Sequence, residues 1–312
     1  MSWKGSKVAV LYGGESDERE VSLATGKAIF EALEGLGHTV SLIDATAEGL
    51  RAFAADPPDV VFIALHGGAG ENGTVQGLCE ALGVPYTGSG VCGSALAMNK
   101  VVAKQIWAQS GLPTAAWQGL SRADVRDMLE ATELDVPIPA VIKPAFGGSS
   151  VGVTLVRTAD QFLPALSQAL RQPGPVLLES LITGRELTVG LMDGQVMGIM
   201  EVIPSEGFYD YKAKYQSDQT RYRPAALPSA THELVAGVAR QANELLGARG
   251  VTRVDIILDD DTVPWLLELN TVPGMTQTSL VPKIAAAAGL SFPELVERIL
   301  DGARLDSETW YE

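Results

Sequence analysis

The chain has 312 residues, 46% of them apolar and 20% charged, with a net charge of −15. That composition excludes a disordered chain, the charge opposes a nucleic-acid or anionic-membrane surface because both need a basic face, and no run reaches the ~18 apolar residues of a membrane span. Cys79 and Cys92 form neither a disulfide framework nor a CxxC spacing and read as core thiols; a start, "MSWKGSKVAVLYGG", that runs straight into a strand pattern points to the cytoplasm.

At roughly 100 to 200 residues per domain the length predicts two or three units. The first alternates apolar runs with helical stretches: "KVAVLYG", a helix from about Glu20 to Leu36, "HTVSLID", then "PDVVFIALHGG". Continuous apolar strands in β/α alternation predict a parallel sheet covered by helices. The ends of "VAVLYGG" and "VFIALHGG" should then lie side by side at the carboxyl edge, where open α/β sheets take ligands.

A single long helix, "CGSALAMNKVVAKQIWAQSG", leads into a second unit: "LPTAAWQGL", a helix from Ser121, the strand "PAVIKPA", the loop "FGGSS", the strand "VGVTLVR", a helix over about 158–170, and "PVLLES". This order reads as an antiparallel α+β module. From Gly184 the pattern "RELTVGLMDGQVMGIMEVIP" is a hairpin turning at Asp193-Gly194. A polar and aromatic loop over 204–222, a helix near 230–247 and a last hairpin follow.

That hairpin, "GVTRVDIILDDDTVPWLLELN", carries the first candidate site. With its turn centred between Asp261 and Thr262, Asp255 opposes Glu268, Arg253 opposes Asn270, and all four share one face. Opposed like charges destabilise a ladder and ask for a cation between them. Two carboxylates and an amide carbonyl are hard donors that suit Mg²⁺ completed by water and phosphates. The plainer alternative is a solvated face with Arg253 pairing one acid; the apolar residues between and the exit turn "TVPGMT" favour the metal.

Lys143 ends a strand ahead of Gly147, Gly148, Ser149 and Ser150, a loop able to cover phosphates although it is not a Walker A motif. Lys100 sits on the connecting helix, where a surface lysine is the plain reading. Glu179 ends a strand and could accept from an adenine amino group or a ribose hydroxyl. The loop "PSEGFYDYKAKYQSDQTRY" holds Tyr209, Tyr211, Tyr215, Tyr222, Lys212 and Lys214, the composition of a lid or, more plainly, of a packed surface loop.

In their order, "GGESDEREVSL", "ALHGGAGENGTVQG", "PYTGSGVCGSALAMNK", "VIKPAFGGSSVG", "FYDYKAKY", "TRVDIIL" and "LELNTVPGMTQTSLVP" resemble the D-alanine:D-alanine ligases of the ATP-grasp superfamily over nearly the whole chain. The resemblance implies an α/β, three-domain fold: an N-terminal parallel α/β domain over 1–96, a central α+β subdomain over 97–181 and a C-terminal α+β catalytic subdomain over 182–312. It implies that ATP phosphorylates one D-alanine and the amine of a second attacks the acyl phosphate, for peptidoglycan precursor synthesis. By the same resemblance Asp255, Glu268 and Asn270 hold two Mg²⁺, with Mn²⁺ as an alternative. Lys100, Lys143 and Lys214, with Ser149 and Ser150, meet phosphates, while Glu179 and Glu186 meet adenosine. Glu18 binds the first substrate's ammonium in a set with Ser149 and Tyr215, and His66 lies beside it. Arg253 and the Gly274 N–H form the oxyanion hole, and Ser279 with Leu280 meets the second substrate's carboxylate. Tyr215 favours the dipeptide over a lactate ester.

The implied partners are D-alanine and ATP, with no nucleic acid or membrane, in a homodimer. Phe146 and Gly147 stand where many relatives have an Arg or an acid, and Thr278 where a His is frequent. The rival readings are a ligase making D-alanyl-D-lactate or D-alanyl-D-serine, and a nucleotide-binding protein without catalysis.

Overall fold

The computed structural model describes residues 3–130, 138–148, 151–203, 220–276 and 278–306. Strand β1 (Lys7–Tyr12), helix α1 (Arg19–Gly35), β2 (Thr39–Asp44), α2 (Ala47–Ala55), β3 (Val60–Ile63) and α3 (Thr74–Leu82) build the first layer. The sheet is parallel in the order β2-β1-β3. "VAVL" and "VVFI" are wholly buried, as continuous apolar strands covered on both faces must be.

The expected single long helix is two. Helix α4 (Val91–Met98) ends at Asn99, whose backbone is extended at φ −89°, ψ 93°, and whose Oδ1 accepts from Val102 N–H to cap α5 (Lys100–Gln109). Asn is among the strongest capping residues, so "MNK" carried a start signal inside an apolar run. Cys79 is buried as expected, and burial pushes its thiol up to about 12. Cys92 corrects the core-thiol reading: it sits in the first turn of α4 and is exposed.

The middle layer comprises β4 (Trp117–Leu120), α6 (Arg122–Glu130), β5 (Ala140–Pro144), β6 (Thr154–Val156), α7 (Ala159–Ala169) and β7 (Val176–Ser180), an antiparallel sheet in the order β4-β7-β5-β6. Its own core includes Ile142, Val156, Phe162, Leu166 and Leu178.

The third sheet, β10-β9-β8-β11-β12, joins β8 (Arg185–Met192), β9 (Gln195–Ile203), β10 (Arg221–Pro224), β11 (Val251–Leu258) and β12 (Pro264–Asn270), with α8 (Ser229–Leu245) against it. Asp193 (φ 45°) and Gly194 (φ 75°) make the expected two-residue turn, both in the left-handed region that such hairpins require. Arg221 and Tyr222, read as loop, belong to β10 and pair with β9. Helices α9 (Leu280–Ala287) and α10 (Phe292–Asp301) close the chain, and their Val281, Val296 and Leu300 share one core with Val8, Val10 and Ile29 of the first layer.

Candidate active site

The last hairpin delivers the expected pairs by an unexpected route. Near the turn, Leu258 pairs with Pro264, Ile257 with Trp265 and Ile256 with Leu266, centred on Asp261. A bulge between Asp255 and Ile256 leaves Leu267 extra, and beyond it Asp255 opposes Glu268 and Arg253 opposes Asn270. Leu267 and Glu268 consequently both line a cavity of ≈ 490 Å³ between the two antiparallel sheets, where strict alternation would have sent them to opposite faces.

Cations of the protein already answer the opposed acids. Arg253 Nη2 lies 2.8 Å from Asp255 Oδ2, and Lys100 Nζ lies 3.3 Å from Glu268 Oε2. Thr188 Oγ1 donates to Asp255 Oδ1 at 2.5 Å, and Asn270 Nδ2 donates to Oδ2 at 3.4 Å. Among the described residues no three His, Cys, Asp or Glu side chains gather as a metal cluster. The donor set here is two acids plus an amide, hard oxygens that hold Mg²⁺ when phosphate oxygens and water complete the shell. The residues present therefore fit the ion.

Lys100 is buried, against the surface reading. Its Nζ also donates to Gly147 O at 2.6 Å and its backbone N–H donates to Ala145 O, tying α5 to the glycine loop. Glu179 is neither solvated nor lightly held: its Oε2 lies 2.5 Å from Lys143 Nζ and its Oε1 2.5 Å from Lys104 Nζ. Burial pushes the Glu179 carboxyl up, but Lys143 and Lys104 together hold it below the ordinary glutamate value. Burial pushes the Lys104 ammonium down against the pull of Glu179. Sequence reasoning missed Lys104; the signal was its place one turn beyond Lys100 on the same helix face. Lys143, Glu179, Glu186 and Phe146 line the cavity.

Glu18 stands apart from that cavity, at the cap of α1 where the first layer meets the glycine loop. A Cβ at Gly148 would lie 2.8 Å from Glu18 Oε2, and one at Gly67 would lie 2.7 Å from the same atom. His66 has both ring nitrogens engaged, Nδ1 with Val272 O and Nε2 with Thr25 Oγ1, each at 2.9 Å. Thr25 Oγ1 also accepts from Met275 N–H at 3.4 Å, so His66 and Thr25 hold the 272–275 turn against α1. A Cβ on Gly274 would meet Ser279 Oγ at 2.9 Å, and that hydroxyl accepts from Thr276 N–H ahead of α9, which starts at Leu280. Ser149, Ser150, Lys212, Lys214, Tyr209, Tyr211 and Tyr215 lie outside the described residues.

A family model described as D-ala D-ala ligase C-terminus matches residues 106–301, and one described as D-ala D-ala ligase N-terminus matches residues 48–89. A curated D-alanine–D-alanine ligase of Anaeromyxobacter sp. (strain K) is 48% identical over 305 residues, covering 97% of this chain and 99% of its own. The crystal structure of a Bacillus anthracis D-alanine–D-alanine ligase complexed with ATP superposes with a TM-score of 0.80 at 33% identity, over 95% of this chain and 96% of that one. The VanG D-Ala:D-Ser ligase of Enterococcus faecalis gives 0.82 at 27% identity, over 96% and 99%.

Proposed function

The chain belongs to the D-alanine–D-alanine ligase family, and from that premise we propose how its own residues carry the reaction. The enzyme uses ATP to join two D-alanines into D-alanyl-D-alanine, a peptidoglycan precursor. The observation that carries the site assignment is the bulged register of β11 and β12, which sets Asp255, Glu268, Asn270 and Arg253 on one face beside Lys100.

ATP occupies the cavity between the antiparallel sheets, its adenosine end at Glu179 and Glu186 and its phosphates at Lys100, Lys143, Lys214 and the loop of Ser149 and Ser150. Asp255, Glu268 and Asn270 would hold two Mg²⁺, which when bound neutralise the phosphate charge. Glu18 holds the ammonium of the first D-alanine at the Gly67–Gly148 gap, completed by Ser149 and Tyr215. The carboxylate so oriented takes the transferred phosphoryl group. The amine of the second D-alanine, its carboxylate held by Ser279 and the Leu280 end of α9, attacks that acyl phosphate and phosphate leaves. Arg253 and the Gly274 N–H meet the oxyanion that forms, a role worth about 2.7 to 4 kcal/mol per donor. His66, engaged on both nitrogens, serves through the turn it holds.

Incubation with ATP, Mg²⁺ and D-alanine, followed by phosphate release and product mass, tests the assignment; added D-serine or D-lactate reads second-substrate choice. Asp255→Asn is expected to cut turnover at least about a hundredfold; unchanged turnover would sink the metal assignment. The homodimer is a family expectation, read by light scattering. Among the described residues no helix is long and apolar enough to cross a membrane.

A further inference from the structure

Among the described residues Lys104 is the largest charged side chain wholly removed from solvent, on α5 one turn past Lys100. Lysine is almost never fully buried unless its charge is answered. Here the ammonium lies 2.5 Å from Glu179 Oε1 as an ion pair, and it donates to Thr114 Oγ1 at 2.5 Å and to Leu266 O at 3.4 Å. Lys104 does not line the cavity, whereas its partner Glu179 and the next cation, Lys143, both do.

Two cations therefore share one buried carboxylate, one oxygen each. As a strut alone, an apolar side chain of the same length would serve better, because desolvating a lysine costs several kcal/mol that pairing only partly returns. What the charge adds is a fixed division of Glu179. With Lys104 against Oε1 and Lys143 against Oε2, the Glu179 carboxylate is gripped from two sides while Lys143 lines the cavity. The same ammonium reaches Leu266 O on β12, two residues before Glu268, and Thr114 Oγ1 donates to that carbonyl at 3.1 Å. One buried group thus spans the middle sheet's Glu179 and the strand that carries the metal-site acid.

We infer that Lys104 is a positioning residue for ATP: it sets the Glu179 and Lys143 side chains for the nucleotide and registers them against β12. It touches neither substrate. The inference rests on the assignment of Glu179 and Lys143 to ATP made above. Loss of Lys104 leaves Glu179 to be shared on both oxygens by Lys143, drawing that lysine back from the phosphates.

The test is ATP affinity of the full chain by calorimetry with Mg²⁺, beside the KM values for ATP and for D-alanine. Lys104→Met is expected to weaken ATP binding about tenfold or more, with the D-alanine KM within about twofold of the parent. Thr114→Val, which removes only the hydroxyl partner, is expected to weaken ATP about threefold and reads the same effect if Lys104→Met does not fold. Glu179→Gln and Lys143→Met are the controls. If these two weaken ATP while Lys104→Met, or Thr114→Val in its place, binds ATP like the parent, even with a lowered melting temperature, the positioning role is overturned. If Glu179→Gln and Lys143→Met both bind ATP normally, it is the underlying site assignment that fails, and the inference with it.

Discussion

At the scale of single residues, Glu18 and Gly148 show how closely two distant segments meet. Gly148 has no positive φ that would demand glycine, so its lack of a side chain serves the close approach of the Glu18 carboxylate. Gly148→Ala is therefore expected to fold with a melting temperature near the parent's, because the atom it displaces ends a flexible side chain. Its KM for D-alanine should rise about tenfold or more; an unaltered KM would separate Glu18 from the substrate. The sequence placed Lys143 and Glu179 as candidates from their positions at strand ends, and Glu18 through the family resemblance. It did not reveal that Glu179 is wedged between two lysines, because Lys104 and Lys143 are 39 residues apart and meet only through the packing of α5 on the middle sheet.

Secondary-structure elements carry two further expectations. In α1, a Cβ on Gly26 would lie 2.3 Å from Tyr12 Cβ, so the helix packs on β1 through a missing side chain. Gly26→Ala gains helix propensity yet should destabilise the protein by about 1 to 3 kcal/mol through overpacking, read by denaturant melts. Equal or greater stability would show that α1 can back away from the sheet. At the other end of the fold, Glu201 ties β8, β9 and β10 together: Arg185 bonds both of its oxygens, at 2.9 and 3.0 Å, and Arg223 bonds one at 2.9 Å. The Arg185 hydrogen bonds hold the Glu201 carboxyl below its ordinary 4.5. A lowered folded value means the unfolded chain binds the proton more readily, so the contribution is complete above that ordinary value and lost as pH falls through the folded one. The stability difference between the parent and Glu201→Gln should accordingly hold constant from pH 7 to about 5 and shrink below that; a gap that widens in acid would reverse the assignment.

Across the whole molecule, three sheets are joined by cores that ignore chain order. The last two helices complete the core of the first sheet, and Asp306 lies 3.2 Å from Arg249, whose guanidinium stacks over Tyr86 at 5.1 Å. ATP held between the second and third sheets should stabilise the assembly by linkage, by about 2.7 kcal/mol at a free concentration near 100 Kd. A melting temperature indifferent to Mg-ATP would mean that the folded chain does not hold the nucleotide.

By itself the amino-acid order determined the β/α alternation of the first layer, the two-residue turn at Asp193-Gly194, and, along their own strands, the shared faces of Arg253 with Asp255 and of Glu268 with Asn270. All of these follow from short-range rules of periodicity, turn chemistry and side-chain alternation. Only the tertiary structure decided that a bulge at Leu267 brings Arg253, Asp255, Glu268 and Asn270 onto one face, that Cys92 is exposed and that Lys104 is buried. Burial and charge pairing depend on which remote segment packs alongside, and water is excluded only once the sheets have come together.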